Sequence, residues 1–181
     1  LDELFGDGLM LRDFSDHKLH RRMLQQAFKK PALEHYMAQM NPRLGNALDK
    51  WPQKHSFSFL EQVRALLLGV GAETFFGLAM GADAERVNQA FVAEVDASLA
   101  VMRLNIPGTV WAKGIAGRRF LEKFMAGLIP ARRANGGSDF FSVLGRTSDD
   151  ESDATRNAQD IINHMIFLLF TAPDTTTSTL C

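Results

Sequence analysis

The stretch LLFTAPDTTTST, residues 168–179, decides how this chain is interpreted, because an apolar run ends abruptly in a carboxylate followed by hydroxyls. Asp and Thr are poor residues for a helix interior, since their short polar groups compete for backbone hydrogen bonds and Thr is stiff at χ1. Pro173 has no N–H to donate to the carbonyl of Leu169, and its ring crowds the same turn. The pattern therefore predicts a kink or a break between Thr171 and Asp174.

Two interpretations of this stretch are open from the sequence. If the helix continues past the kink, the unpaired carbonyl of Leu169 lies beside a carboxyl and several hydroxyls, which together can hold water and pass protons. If the helix ends there, Asp174 or Thr175 caps a short final segment.

The composition suits a globular domain. Of the 181 residues 46% are hydrophobic, and the 20 basic and 21 acidic side chains nearly cancel, so overall charge gives no argument for a nucleic-acid partner. Cys181 is the only cysteine, which excludes an internal disulfide or a cysteine cluster and fits a reducing, cytoplasmic compartment. The longest apolar run, residues 165–170, is far shorter than the roughly 18 residues that a membrane span needs.

The ends of the chain predict a larger parent protein. The first residue is Leu, and the last segment stops within a motif. We therefore expect residues 1–181 to form one partial domain that is cut at both ends, and a membrane anchor elsewhere in the parent remains open.

The long segments have helical periodicity, which predicts an all-α fold. The expected helices cover about residues 16–28, 33–51 with an interruption near Pro42, 59–77, 83–103, 116–134 and 140–144, and then from about 153 to the region of Pro173. Ser58 and Glu61 have the spacing of a capping box, and residues 105–114 are expected to form a loop. The expected core stripes are Leu60, Val63, Leu67, Val70, Thr74 and Phe75 on one helix, and Val87, Phe91, Val95, Leu99 and Met102 on the next.

The second informative stretch is DHKLHRRMLQQAF, residues 16–28. His17 and Arg21 are four residues apart and share a helix face, where with His20 they can donate hydrogen bonds to an anion. Leu19 is expected on the opposite, core-facing side. The alternatives are a solvated basic surface, or half of a metal site made by His17 and His20 that lacks a third ligand.

Other polar residues predict less specific roles. Arg118, Arg119, Lys123, Arg132 and Arg133 are expected on an exposed basic face. His35, His55 and His164 are expected to be surface or packing histidines. A nucleophile elbow and a glycine-rich phosphate loop are both missing from the sequence, so hydrolase and nucleotide-binding functions have no support.

Together, the two stretches resemble segments of cytochrome P-450. In that family's C helix, an aromatic residue or His and a basic residue four positions later hold the haem propionates, as His17 and Arg21 are spaced here. The I-helix motif is a small pair, any residue, an acid and two threonines, which FTAPDTT at residues 170–176 resembles. The order and separation of the segments agree with the family, so the resemblance implies a partial P-450 fold from helix C to helix I.

The resemblance implies a role for each matching residue. His17 and Arg21 would bind the propionates of haem, Asp174 and Thr175 would deliver protons to dioxygen, and Thr171 and Ala172 would form the oxygen groove. Thr171 and Ala172 replace the usual Ala and Gly, which departs from the family pattern.

The family's K helix and its loop with the iron-ligating Cys are absent from this sequence. Cys181 lies outside any such loop. The resemblance therefore implies that the isolated segment is inactive.

The implied parent enzyme is a monooxygenase that uses dioxygen and electrons from a ferredoxin or flavin reductase to hydroxylate a lipophilic, retinoid-, sterol- or fatty-acid-like substrate. The loop at residues 106–115 would lie near the substrate channel and could touch a membrane surface. One alternative is a peroxygenase of the same fold, which the pair Asp174–Thr175 disfavours. The other is a non-catalytic helical domain that binds a ligand or a protein partner.

Overall fold

A computed structural model describes residues 2–51, 56–77, 82–134, 137–146 and 154–181. For Asp2, Ala82, Ala84, residues 154–157, Phe170 and residues 172–174, it describes the backbone alone. His55 and the acidic segment at residues 148–153 lie outside these ranges.

The described residues form helices and no strand, which confirms the all-α prediction. The helices are α1 (Asp2–Phe5), α2 (Phe14–Gln26), α3 (Lys30–Leu48), α4 (Phe59–Phe76), α5 (Ala82–Ser98), α6 (Val110–Ala134), α7 (Phe140–Arg146) and α8 (Ala154–Leu180). A short 3-10 turn, Leu9–Leu11, lies between α1 and α2. None of the helices searched is long and apolar enough to cross a membrane, a search that covered the described residues alone.

The ends of α4 follow the sequence signals. Ser58 is the N-cap, and its Oγ accepts a hydrogen bond of 3.5 Å from the backbone N–H of Glu61. Gly77 ends the helix in the left-handed conformation at φ +58°, which glycine adopts without steric cost.

The boundary between α5 and α6 differs from the prediction. Helix α5 ends at Ser98, so Leu99 and Met102 are exposed rather than in the core. Helix α6 begins at Val110, within the expected loop, because the Thr109 hydroxyl accepts a hydrogen bond of 3.2 Å from the N–H of Ala112. The helix start turns Trp111 into the interior.

The main hydrophobic core lies among α4, α5, α6, α7 and α8. It includes Phe76, Phe91, Phe140 and Phe141, of which Phe91 belongs to a core stripe predicted from the sequence. In helix α8, all six residues from 161 to 166 are buried. A smaller core holds α1 against α5 and α6 through Leu4, Phe5, Ala97, Trp111 and Ile115.

Helices α5 and α6 approach each other closely at two glycines. A Cβ at Gly114 would overlap the Cβ of Ala97, and a Cβ at Gly117 would overlap the carbonyl oxygen of Ala90. Since the second obstacle is backbone, it cannot move by a change of rotamer. The two glycines therefore set the distance between the helices.

Three face predictions were wrong. Leu19 is 61% exposed, and His20 on the next position is buried instead. Leu60 is 49% exposed because it lies in the first turn of α4, before the helix reaches the core. Arg118 is buried although it was expected on the basic surface of α6, because polar groups of α8 and of its own helix surround it.

Helix α8 continues through Pro173 to Leu180, so the interpretation of a helix end capped by Asp174 or Thr175 is wrong. The buried first half of the helix holds it in place, and the later turns carry exposed threonines.

Candidate functional site

The threonines of α8 are accommodated by hydrogen bonds to the preceding turn. The Thr175 hydroxyl donates to the carbonyl of Thr171 at 2.7 Å, and the Thr179 hydroxyl donates to the carbonyl of Thr175 at 2.9 Å. The Thr171 hydroxyl lies 3.2 Å from the carbonyl of Phe167 and 3.3 Å from that of Leu168. These contacts tie each hydroxyl proton to the helix.

The other predicted residues of this stretch are described by backbone alone. Asp174 and Ala172 lie on α8, one and three residues before Thr175. The proton-delivering role of Asp174 and the oxygen-groove role of Ala172 therefore stay predictions.

His17 and Arg21 lie on one face of α2. His17 is half-buried and Arg21 is exposed, and within the described part of the chain no side chain or carbonyl bonds to either side chain. An imidazole and a guanidinium fork at this spacing are able to take two carboxylates. Their part in haem binding stays a prediction.

A buried polar cluster joins α2 to α8, and the sequence did not predict it. Its members are Arg12, Asp16, His20, Asp160 and His164, and we call it the α2–α8 cluster. Arg12 donates to Asp16 at 2.9 Å and also bonds Asp160. His20 Nε2 lies 2.6 Å from Arg12 Nη1, and His20 Nδ1 lies 2.9 Å from His164 Nε2.

The two stretches singled out in the sequence therefore meet in the fold. His20 belongs to this cluster rather than to the anion-binding face of His17 and Arg21. His164 is a packing histidine as predicted, but it is paired rather than alone. Burial, with His20 and then Arg12 adding to it and Asp16 opposing it, lowers the pKa of His164 to about 3, so this ring is neutral.

A second buried cluster lies among α5, α6 and α8. Arg118 donates to Glu122 at 2.8 Å and to Asn163, while its Nη1 lies 3.9 Å from the fully buried Glu94. Burial raises the pKa of Glu94 to about 8, with Glu122 adding to the effect and Arg118 opposing it. We regard Glu94 as protonated at neutral pH, because burial is the largest effect on its pKa and Arg118 Nη1, at 3.9 Å, is too far away to form a hydrogen bond with the carboxylate.

No group of three or more His, Cys, Asp or Glu residues is placed to hold a metal ion, among the residues that the structure describes. In the α2–α8 cluster, the Arg12 guanidinium lies against both carboxylates and supplies the positive charge there. Among the described residues, none therefore completes the metal half-site of His17 and His20 with a third ligand.

Comparison with known proteins gives a consistent result. No family model matches the chain. The chain is 37% identical over 180 residues to a Mycobacterium tuberculosis protein named "Putative cytochrome P450 136", which covers 97% of this chain and 36% of that protein. It is 27% identical over 178 residues to taxane 10-beta-hydroxylase of Taxus cuspidata, covering 94% of this chain and 35% of that enzyme.

The fold matches solved structures equally widely. The structure of cyanobacterial CYP120A1 with retinoic acid bound superposes with a TM-score of 0.82, over 98% of this chain and 41% of that one, at 22% identity. The chain belongs to the cytochrome P-450 family. This P-450 segment spans 36% and 35% of the length of the two curated relatives.

The described residues fit the cofactor of the family. Cytochromes P-450 bind haem. His17 and Arg21 offer donors that no described residue uses, and the α8 threonines place acceptor oxygens on a helix that runs unbroken past Pro173. Cys181 is exposed directly after α8, and we assign it no role as an iron ligand.

Proposed function

We propose that this chain is the part of a haem-thiolate monooxygenase that covers the dioxygen side of the haem, and that the whole protein hydroxylates a lipophilic organic substrate. The observation that carries the proposal is the alignment of nearly the whole chain with proteins named as a cytochrome P-450 and as a hydroxylase. The substrate class proposed is a retinoid, a sterol or a fatty acid, and the retinoic acid in the structural relative CYP120A1 supports the first of these.

Bound haem would supply the redox chemistry, in which dioxygen takes up two electrons and two protons, one oxygen atom enters a C–H bond and the other leaves as water. His17 and Arg21 would hold the two propionates. A guanidinium binds a carboxylate through two parallel N–H groups, which fixes orientation as well as position. The pair would thereby set where the macrocycle lies under α8.

Asp174 and Thr175 would supply the protons. The Thr175 hydroxyl can receive a proton from a carboxyl or a water at its lone pairs while it passes on the one that now points at the Thr171 carbonyl. Thr171 and Ala172 would form the adjoining groove that accommodates dioxygen. Electrons would come from a ferredoxin or a flavin reductase.

The segment between α5 and α6 supports a lipophilic substrate. Leu99, Val101, Met102, Leu104 and Ile106 are all more than half exposed, with Val101 at 98%. Within the predicted membrane-contact region at residues 106–115, Trp111 and Ile115 are buried, so the exposed apolar surface lies earlier in the chain than predicted. We propose that residues 99–106 touch a membrane surface or the incoming substrate, in a protein that is otherwise cytoplasmic.

This contact is testable with the full-length protein that carries the segment. Replacing Val101 and Met102 with Asp should lower the partition coefficient of the protein onto neutral phosphatidylcholine vesicles, measured by co-sedimentation, by at least about a hundredfold, because two apolar side chains that leave water on binding contribute about 1.5–3 kcal/mol each. The matched control is Asp at Met37, an exposed methionine on α3. Equal losses in both variants would contradict the proposed contact.

The proposed function is tested by measuring oxygen consumption and product formation with the same full-length protein. With a reductase and a panel of retinoids, sterols and fatty acids, we expect oxygen consumption to rise with at least one compound and hydroxylated product to form in proportion. Substitution of Arg21 by Ala should lower haem retention. A protein that takes up no haem, or that binds these compounds without consuming oxygen, would contradict the proposal and favour a non-catalytic helical module.

A further inference from the structure

The proton positions in the α2–α8 cluster follow from the donor inventory. A guanidinium has no acceptor atom, so we assign the contact of 2.6 Å between Arg12 Nη1 and His20 Nε2 as a hydrogen bond that His20 accepts; the carboxylates of Asp16 and Asp160 lie farther from Nε2, at 3.4 Å and 3.8 Å. The proton of His20 is then on Nδ1, which donates to His164 Nε2 at 2.9 Å. His164 consequently carries its own proton on Nδ1. Arg12 thus sets the tautomer of both rings.

The two histidines and Arg12 are shielded from water, whereas the Asp16 side chain is 46% exposed. His20 is 6% exposed and His164 is 2% exposed, while the side chain of Arg12 is 6% exposed. Hydrogen bonds between buried groups cannot be replaced by water without opening the structure, so the bond between His20 and His164 resists sliding of the two helices. It joins residues 144 positions apart in the chain.

Each histidine lies on the same helix as part of the proposed haem site. His20 is adjacent to Arg21 and three residues from His17. Thr171 and Thr175 follow His164 by seven and eleven residues, which are about two and three turns of helix, so all three share one face of α8. A rotation of α8 that broke the histidine pair would turn both threonines by the same angle.

We propose that His20 and His164 are positioning residues, whose hydrogen bond sets the distance and rotation between the proposed propionate pair on α2 and the threonines on α8. The inference rests on the proposed function, because it assigns the pair an effect on haem. Neither histidine touches the haem in this account. Both act through the helices that carry the binding side chains.

The test uses the haem-loaded, full-length protein and measures the rate at which haem passes to a scavenging globin. In His164→Leu the rate should rise about 3- to 30-fold, the range for residues coupled in one network. His164→Gln should stay within about twofold of the wild type, because the glutamine oxygen can replace Nε2 as acceptor. The matched control is His35→Leu, which removes a hydrogen bond of 2.8 Å to Ser138 elsewhere in the fold.

The double variant His20→Leu/His164→Leu separates positioning from folding. In the double variant neither ring is left without its partner and only one Arg12 N–H loses its acceptor, so thermal stability should recover partway toward the wild type. Haem loss should stay fast if the pair positions the site, and should recover together with stability if its role is only structural. Recovery of both would overturn the inference.

Arg21→Ala separates this inference from the proposed function. If Arg21→Ala speeds haem loss and His164→Leu does not, the positioning role alone is overturned. If Arg21→Ala has no effect, the propionate assignment is overturned, and the positioning role falls with it.

Discussion

At the residue scale, Thr175 shows how a helix accommodates a residue with a poor helix propensity. Its hydroxyl satisfies the hydrogen-bonding requirement locally through the Thr171 carbonyl, so the helix accepts it without a cap or a break. The same pattern recurs at Thr179, one turn later. Thr175 and Thr179 make the same local hydrogen bond at different places along α8, so Thr179 serves as a control position for Thr175.

Replacement of Thr175 by Ala should uncouple oxygen use from product formation. Without the hydroxyl, protons reach dioxygen less directly, and we expect product per oxygen consumed to fall about tenfold while peroxide rises, as for the loss of a general acid. Thr175→Ser should keep most of the coupling, and Thr179→Ala should resemble the wild type. Quantification of peroxide and product in parallel measures the effect. Unchanged coupling in Thr175→Ala would contradict the relay.

Glu94 makes a separate prediction about pH. Its pKa is raised from 4.5 to about 8 in the fold, so between these values the folded protein binds more protons than the unfolded chain. The contribution to stability is therefore complete below pH 4.5 and is lost as pH rises through 8, by at most about 1.4 kcal/mol per pH unit.

Glu94→Gln imitates the protonated side chain and should flatten this dependence. We expect the free energy of unfolding of Glu94→Gln to exceed that of the wild type at pH 8 and to approach it near pH 4.5. Denaturant unfolding at several pH values measures the difference, with Glu85→Gln on the exposed part of α5 as the control. A wild-type protein that gains stability as pH rises from 5 to 8, relative to Glu94→Gln, would mean that Glu94 is ionised and paired with Arg118.

At the scale of the elements, the approach of α6 to α5 depends on Gly117. Ala at this position would press its Cβ into the Ala90 carbonyl oxygen, so we expect a loss of about 1–3 kcal/mol in the free energy of unfolding. Gly127→Ala on the same helix meets no atom within 4 Å and should instead raise stability by about 0.5–1 kcal/mol. Calorimetry of both variants measures these changes in the free energy of unfolding. Similar effects of the two substitutions would show that helix propensity, rather than the close approach, governs Gly117.

The elements also show what the sequence could predict. The Ser58 cap and the Gly77 stop are local signals, and both ends of α4 were predicted within one residue. The end of α5 was not, because apolar residues 99–102 continue the helical spacing beyond Ser98 while lying on the surface. Helix α8 was predicted to be interrupted, since the rules for Pro and Thr do not contain the packing of residues 161–166 that holds the helix in place.

At the scale of the whole molecule, the family and the all-α architecture were predictable, but the buried clusters were not. The pair of motifs is recognisable because each is short and their order is fixed. The contacts between His20 and His164, and between Arg118 and Asn163, join positions 144 and 45 residues apart. A clue was present in the repeated spacing of Asp and His, four residues apart, at Asp16–His20 and Asp160–His164.

In the proposed function, the α2–α8 cluster connects the two helices that would carry the chemistry. Helix α2 would hold the haem carboxylates, and α8 would present the dioxygen side. The exposed apolar segment at residues 99–106 lies between α5 and α6 in the chain. The account therefore separates the side chains that bind haem, those that move protons and those that meet a lipophilic partner.

The central claim is that the face of α2 with His17 and Arg21 binds haem. The most direct measurement is the haem content and haem dissociation rate of the full-length protein, compared between Arg21→Ala and Arg22→Ala, two adjacent exposed arginines of α2. The account predicts one haem per chain in the wild type, at least about tenfold faster loss in Arg21→Ala, since a charged hydrogen bond contributes about 1.5–3 kcal/mol, and no change in Arg22→Ala. Equal rates in the two variants, or a full-length protein that binds no haem, would contradict it.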